Sequence, residues 1–125
     1  MPIHLPEIPA ARQRLHGYGD GGFRINGKRV EGAVLITPTR TLTWPVTAPD
    51  NITLESLLPV LEGEDRVDLL LIGCGAESVL LPRALRESIR AYGVGLEVLD
   101  TGAACRTFNL LLPESRRVAA ALIAV

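Results

Sequence analysis

The sequence predicts an α/β fold: a single three-layer domain with a mixed β-sheet, an N-terminal antiparallel β-meander and two to three helices. Three observations lead there. Val67 to Gly73 is a near-continuous apolar run of strand length, the mark of a central strand covered on both faces. From that run to Leu99, strand, helix and strand follow one another through short loops, which implies a parallel crossover. Upstream, apolar and polar residues alternate around Asn26-Gly27, the strongest short-range hairpin signal.

Each element follows from its residues. Positions 1–14 form a proline-interrupted arm without a sustained apolar period, and the domain is expected to span 15–125. Phe23 to Ile25 reads as a strand, Lys28 to Thr37 as its return with Val30, Val34 and Ile36 in phase, and Thr41 to Trp44 as a third strand with Leu42 and Trp44 facing inward. Thr53 is a candidate N-cap for a helix whose apolar stripe is Leu54, Leu57, Leu58 and Leu61. Pro59 should keep that helix short or bent, because it removes a donor and crowds the preceding turn. Pro82 opens a second helix, with Leu85, Ile89 and Tyr92 on its inner face, and Gly93 supplies a left-handed cap. After strand Leu96 to Leu99, Thr101 is a candidate N-cap for a third helix that buries Ala104, Phe108 and Leu111. A turn over 113–117 leads to an alanine-rich strand from Val118 to Val125, giving one sheet of five or six strands.

Composition narrows the function. The chain has 125 residues and a formal net charge of −1, so no global field attracts a polyanion, and nucleic acid is disfavoured as a partner. Apolar residues make up 47% of the chain but aromatics only 4%, a composition suited to layers packed closely through small side chains. The longest apolar run, Val118 to Val125, is far below the roughly 20 residues of a membrane helix, so no span is expected. Cys74 and Cys105 form neither a CxxC pair nor a cluster with histidine, which points to reduced thiols, no metal site, no cofactor and a cytoplasmic location. The start of the chain lacks the apolar core of a signal peptide and the Arg-rich character of a transit peptide.

Gly17-Tyr18-Gly19-Asp20-Gly21-Gly22 matches the literal G-x-G-x-x-G string, yet a hairpin follows it, so a bound pyrophosphate would have no helix dipole to meet. The better-placed candidate comprises Gly73, Cys74, Gly75, Asp100, Thr101, Arg106 and Asn109, where adjacent parallel strands end and a helix begins. Backbone donors, a helix N-terminus and the Arg106 guanidinium would suit an anion there. The competing explanation is structural: glycines for sharp turns, Asp100 and Thr101 as caps, Arg106 neutralising Asp100. Cys105 lies near that crevice, but only His4 and His16 are available as imidazole bases and both sit far upstream, which favours an inert packed thiol.

Gly17-Tyr18-Gly19, Gly21-Gly22-Phe23, Ile25-Asn26-Gly27, the Gly73-x-Gly75 turn, Leu81-Pro82, Gly93-Val94-Gly95, Asp100-Thr101, Ala103 to Asn109 and Arg116 to Leu122 occur in order and at matching spacing. In these motifs the chain, from Leu15 onward, resembles the small α/β domain family of unknown function that includes the mitochondrial complex I assembly factor 3 proteins. The resemblance implies a three-layer α/β domain that assists assembly of respiratory complex I through protein contacts, without an established reaction. It also implies a bacterial-type relative, since no mitochondrial presequence is evident, and Cys74 stands where the family is expected to carry a threonine. The function expected is therefore a non-catalytic protein-binding domain with an unidentified protein partner, and the unpaired edges of its sheet leave homo-oligomer formation open. The alternative is a small-molecule anion binder or enzyme at the Gly73–Gly75 and Asp100–Arg106 loops.

Overall fold

The computed structural model describes residues 13–111 and 117–125. Leu15–Gly19 (β1), Gly22–Ile25 (β2) and Lys28–Glu31 (β3) form an antiparallel three-stranded sheet in the order β1-β2-β3. Val34–Ile36 (β4), Thr41–Thr43 (β5), Leu69–Gly73 (β6), Gly95–Leu99 (β7) and Val118–Leu122 (β8) form a mixed five-stranded sheet in the order β5-β4-β8-β6-β7. The helices are Leu54–Leu61 (α1), Arg83–Arg90 (α2) and Thr101–Leu111 (α3).

The hairpin signal at Asn26-Gly27 is realised with both residues at positive φ, the geometry that matches the twist of the flanking strands. Lys28 to Thr37, however, is not one strand. Gly32, at φ 81°, turns the chain so that β3 stays with the small sheet while β4 joins the large one. A left-handed residue interrupts the ladder, and the alternation on its two sides therefore serves different cores. The expected sheet of five or six strands is thus a five-stranded sheet with a separate three-stranded one beside it. The glycine string does not enter a hairpin from a loop: Leu15–Gly19 is itself a strand, and Asp20 and Gly21 at positive φ turn it back into β2.

The large sheet is filled on both faces. Leu35 of β4, Leu70 and Ile72 of β6, and Ala119 and Ala121 of β8 face a core shared with Leu57 and Val60 of α1, Ile89 of α2, and Trp44. Val34, Ile36, Leu71, Val118, Ala120 and Leu122 face the opposite core, closed by Ala104, Cys105 and Phe108 of α3 and by Leu15, Phe23 and Ile25 of the small sheet. This is the two-residue period of extended chain, with both phases apolar because both faces are covered. In α1 the deepest pair is Leu57 and Val60 rather than the full leucine stripe, with Leu58 only half-buried.

Caps set the helix starts. The Thr53 hydroxyl accepts the Ser56 N–H while the Ser56 hydroxyl accepts the Thr53 N–H, a reciprocal capping box. Pro59 lies inside α1 on its exposed side, and the helix ends two residues later. Pro82 precedes α2 as its N-cap rather than occupying its first turn, and Gly93, at φ 78°, follows its end. The arm at 1–14 and the turn at 113–117 lie largely outside the described residues. Gln13 and Arg14 are tied down: Gln13 N–H donates to Pro38 O at 3.0 Å, and Arg14 exchanges bonds with Asn26.

Gly73 tests the close packing at the end of β6. A Cβ there would stand 2.9 Å from Thr101 Cα and 3.0 Å from Leu122 Cδ2. Gly73→Ala is expected to lower unfolding free energy by about 1–3 kcal/mol, whereas Gly17→Ala, into open space, should change it by under about 0.5 kcal/mol; urea denaturation of both variants checks this.

Candidate functional site

The carboxyl ends of β6, β7 and β8 meet at the start of α3. Cys74 N–H donates to Leu99 O at 2.8 Å, Thr101 N–H to Gly75 O at 2.9 Å, and Ile123 N–H to Gly73 O at 2.9 Å. The Thr101 hydroxyl completes the lattice. It accepts the Gly75 N–H at 2.9 Å and donates to Ile123 O at 2.7 Å, in a fully buried position. One side chain thus satisfies a donor after β6 and an acceptor after β8, groups that would otherwise be stranded away from water. Gly75, at φ 100°, provides the left-handed turn that presents its N–H to Thr101.

The cap of α3 is Asp100, not Thr101. The Asp100 carboxylate accepts the Ala103 N–H at 2.8 Å and its carbonyl accepts the Ala104 N–H at 3.0 Å, while Thr101 is already helical. The distinction follows from burial: the half-exposed carboxylate stays near water, and the hydroxyl, which costs less to desolvate, goes inside.

The remaining candidates separate. Arg106 is exposed and, among the described residues, makes no ion pair, so the expected neutralisation of Asp100 does not occur. Its guanidinium lies beside Gly102 together with the Tyr18 hydroxyl; a Cβ on Gly102 would stand 2.5 Å from that oxygen and 3.3 Å from Arg106 Nη1. Tyr18 is the neighbour that the strand-end pattern did not point to, because β1 is brought over α3 only by folding. Its sole sequence signal was its place within Gly17-Tyr18-Gly19. Asn109 turns toward the same strand: its Oδ1 accepts the Leu15 N–H at 3.1 Å and its Nδ2 donates to Leu15 O. The amide acts as an extra peptide group on the edge of β1.

The thiols face inward. Burial pushes Cys105 up to about 12, opposed by Arg106 and assisted by Asp100, and burial also raises Cys74 against a hydrogen bond from the Val79 backbone. Both therefore stay as neutral thiols, poor nucleophiles at neutral pH. Among the described residues no cluster of three or more His, Cys, Asp and Glu side chains is placed to hold a metal ion. No helix among them is long and apolar enough to cross a membrane.

Residues 15–123 match the family described as "Protein of unknown function (DUF498/DUF598)". The chain belongs to this family. Its described elements from β1 to β8 fall within the family span, including the Thr101 lattice. A relative from Danio rerio, named NADH dehydrogenase (ubiquinone) 1 alpha subcomplex assembly factor 3, is 38% identical over 109 residues, which cover 87% of this chain and 63% of the relative. Vertebrate assembly factors are thus longer proteins, and the match spans 59–63% of the Danio rerio and Rattus norvegicus chains. Among solved structures, an outer membrane protein from Bartonella henselae is similar at a TM-score of 0.85 and 38% identity, covering 98% of this chain and 99% of that one. A Bordetella pertussis protein described as an Mth938-like domain is similar at a TM-score of 0.81 and 30% identity, covering 98% and 92%. The family's mixed α/β fold is the fold described above.

Thr101→Val, which keeps the shape and removes the hydroxyl, strands the Gly75 N–H and Ile123 C=O; it is expected to cost about 2–4 kcal/mol, and Thr101→Ser to restore most of that in thermal or urea unfolding. The Cys105 thiol gives a pH signature. Its folded pKa, about 12, lies above the unfolded value of about 8.5. Its contribution is therefore complete below the unfolded value and is lost as pH rises toward the folded one. Stability of Cys105→Ala should fall less steeply than that of the parent across this alkaline window, measured by urea unfolding at successive pH values.

Proposed function

We propose that the chain is a non-catalytic protein-binding domain that assists assembly of respiratory complex I in a cytosol-like compartment. The observation that carries this is the 38% identity, over 87% of the chain, to a protein named as an assembly factor of NADH dehydrogenase. The chemistry at the strand ends agrees with a binding role: both thiols are buried and neutral, and the Thr101 hydroxyl is spent on backbone groups.

A protein partner needs an apolar surface to displace water from, and the segment between β6 and α2 supplies one. Leu80 is 83% exposed, beside Val79. These two residues rim a largely apolar cleft of about 430 Å³ that also involves Ile52, Leu81, Pro49 and Pro82, with Asp50 as the one charged side chain lining it among the described residues. An isolated exposed leucine is ordinary, but one standing over an apolar cleft offers both a knob and a hole. The alternative, an anion site at Gly73–Gly75 and Asp100–Arg106, draws on the exposed Arg106. It is weakened because the N–H groups of Cys74, Gly75, Thr101 and Ala103 already donate within the chain.

Deletion of the gene in a host that contains complex I should lower the amount of assembled enzyme on native gels, and the parent chain should restore it. Leu80→Asp, at a site with no packing to lose, should keep the melting temperature yet fail to restore assembly. Normal enzyme levels after deletion would sink the assembly role, and full rescue by Leu80→Asp would remove this surface from it. Rescue by the parent that is lost with Arg106→Ala but kept with Leu80→Asp would favour the strand-end site.

A further inference from the structure

A second cleft, also of about 430 Å³, lies at the seam between the two sheets. Ile25 of β2, Lys28 and Val30 of β3, and Thr41 and Leu42 of β5 line it, with Arg40 from the turn that precedes β5. The seam exists because Gly32 sends β3 and β4 into different sheets, leaving β3 and β5 as free edges of each. Nothing in the strand-end site or the Leu80 surface involves these residues.

Three properties of this cleft point to one kind of occupant. The first is charge: its lining includes Lys28 and Arg40 and, among the described residues, no acidic side chain. Asp65 neighbours Arg40, but its carboxylate is held by the hydroxyls of Thr37 and Thr39. Lys28 is exposed and makes no ion pair among the described residues. The second is an apolar floor, contributed by Ile25, Val30 and Leu42. The third is unmet hydrogen bonding: Arg40 Nε and Thr41 Oγ1 are buried without a partner among the described residues. Buried donors left unpaired cost roughly 1–3 kcal/mol each, so such groups are normally satisfied. An oxygen-bearing anion seated between Lys28 and Arg40 brings acceptors toward these two lining residues, and a hydrocarbon body covers the floor. The volume is within the range of small-molecule sites.

We infer that the inter-sheet cleft binds a small amphiphilic anion, a carboxylate or phosphate monoester on a short apolar body, with its head group at Lys28, Arg40 and Thr41 and its tail on Ile25, Val30 and Leu42. The carboxylate and the phosphate share the chemistry of recognition, and the cations set the preference for charge over an equally apolar neutral molecule.

The test is amide NMR titration of the full chain with octanoate, octyl phosphate and 1-octanol at millimolar concentration. Octanoate or octyl phosphate should shift the signals of Ile25, Lys28 and Arg40 to Leu42 saturably, and the tighter of the two identifies the head group. The neutral alcohol should bind at least about tenfold more weakly. Lys28→Glu, an exposed change on an edge strand, should weaken the anion at least about tenfold, and Thr41→Val roughly fivefold. Absence of saturation, shifts centred on other residues, equal binding of 1-octanol, or unchanged affinity in Lys28→Glu would each overturn the inference. None of these outcomes bears on complex I assembly, which the deletion experiment reads separately.

Discussion

The Thr101 hydroxyl holds together the carboxyl edge of the large sheet. It sits where β7 has just ended and α3 has just begun, and it reaches back to the chain after β6 and across to the chain after β8. Three parallel strand ends are thereby fixed relative to one helix. Such a junction is exacting, because each carbonyl and N–H it meets is out of reach of water. It also explains Gly73: a side chain at that point would occupy the space of Thr101 itself. Residues that resemble a ligand-binding turn when taken singly are, taken together, the fastening of the fold.

The same economy of space governs the two cores. β8 is central, flanked by β4 and β6, and its Ala119, Ala120 and Ala121 are fully buried. Alanine on both faces of a central strand lets α1 and α2 on one side, and α3 on the other, share the volume with larger residues from β6 and β4. Few aromatics are then needed: Phe23 and Phe108 pack between α3 and the small sheet and Trp44 in the core shared with α1, while Tyr18 and Tyr92 stay at the surface. Asn109 joins those layers in another way, by giving β1 the hydrogen bonds of an additional strand edge. A polar residue at an exposed helical position is therefore an architectural contact.

Function divides along similar lines. Chemistry that needs a free thiolate or an open oxyanion hole finds its groups buried or already bonded at the strand ends. Surface chemistry is available elsewhere, in the apolar knob at Leu80 and in the cationic seam at Lys28 and Arg40. The two surfaces come from different parts of the fold, one from the loop before α2 and the other from the break between sheets. The fold can carry both without either disturbing the Thr101 junction.

Elements whose signals are local can be read from the chain alone. The apolar run at β6, the Asn26-Gly27 turn, the Thr53 cap and the left-handed Gly93 all follow from interactions within a few residues of one another. The family membership was equally legible, through motifs that recur in order within 15–123. The split of Lys28 to Thr37 was not, since the alternation continues through Gly32 and only the competition of two sheets for backbone partners decides which side each half joins. Nor was the exchange of roles between Asp100 and Thr101 visible, because both can cap a helix. Tertiary burial chose between them: the group that could bridge Gly75 and Ile123 went inside, and the charge stayed at the surface.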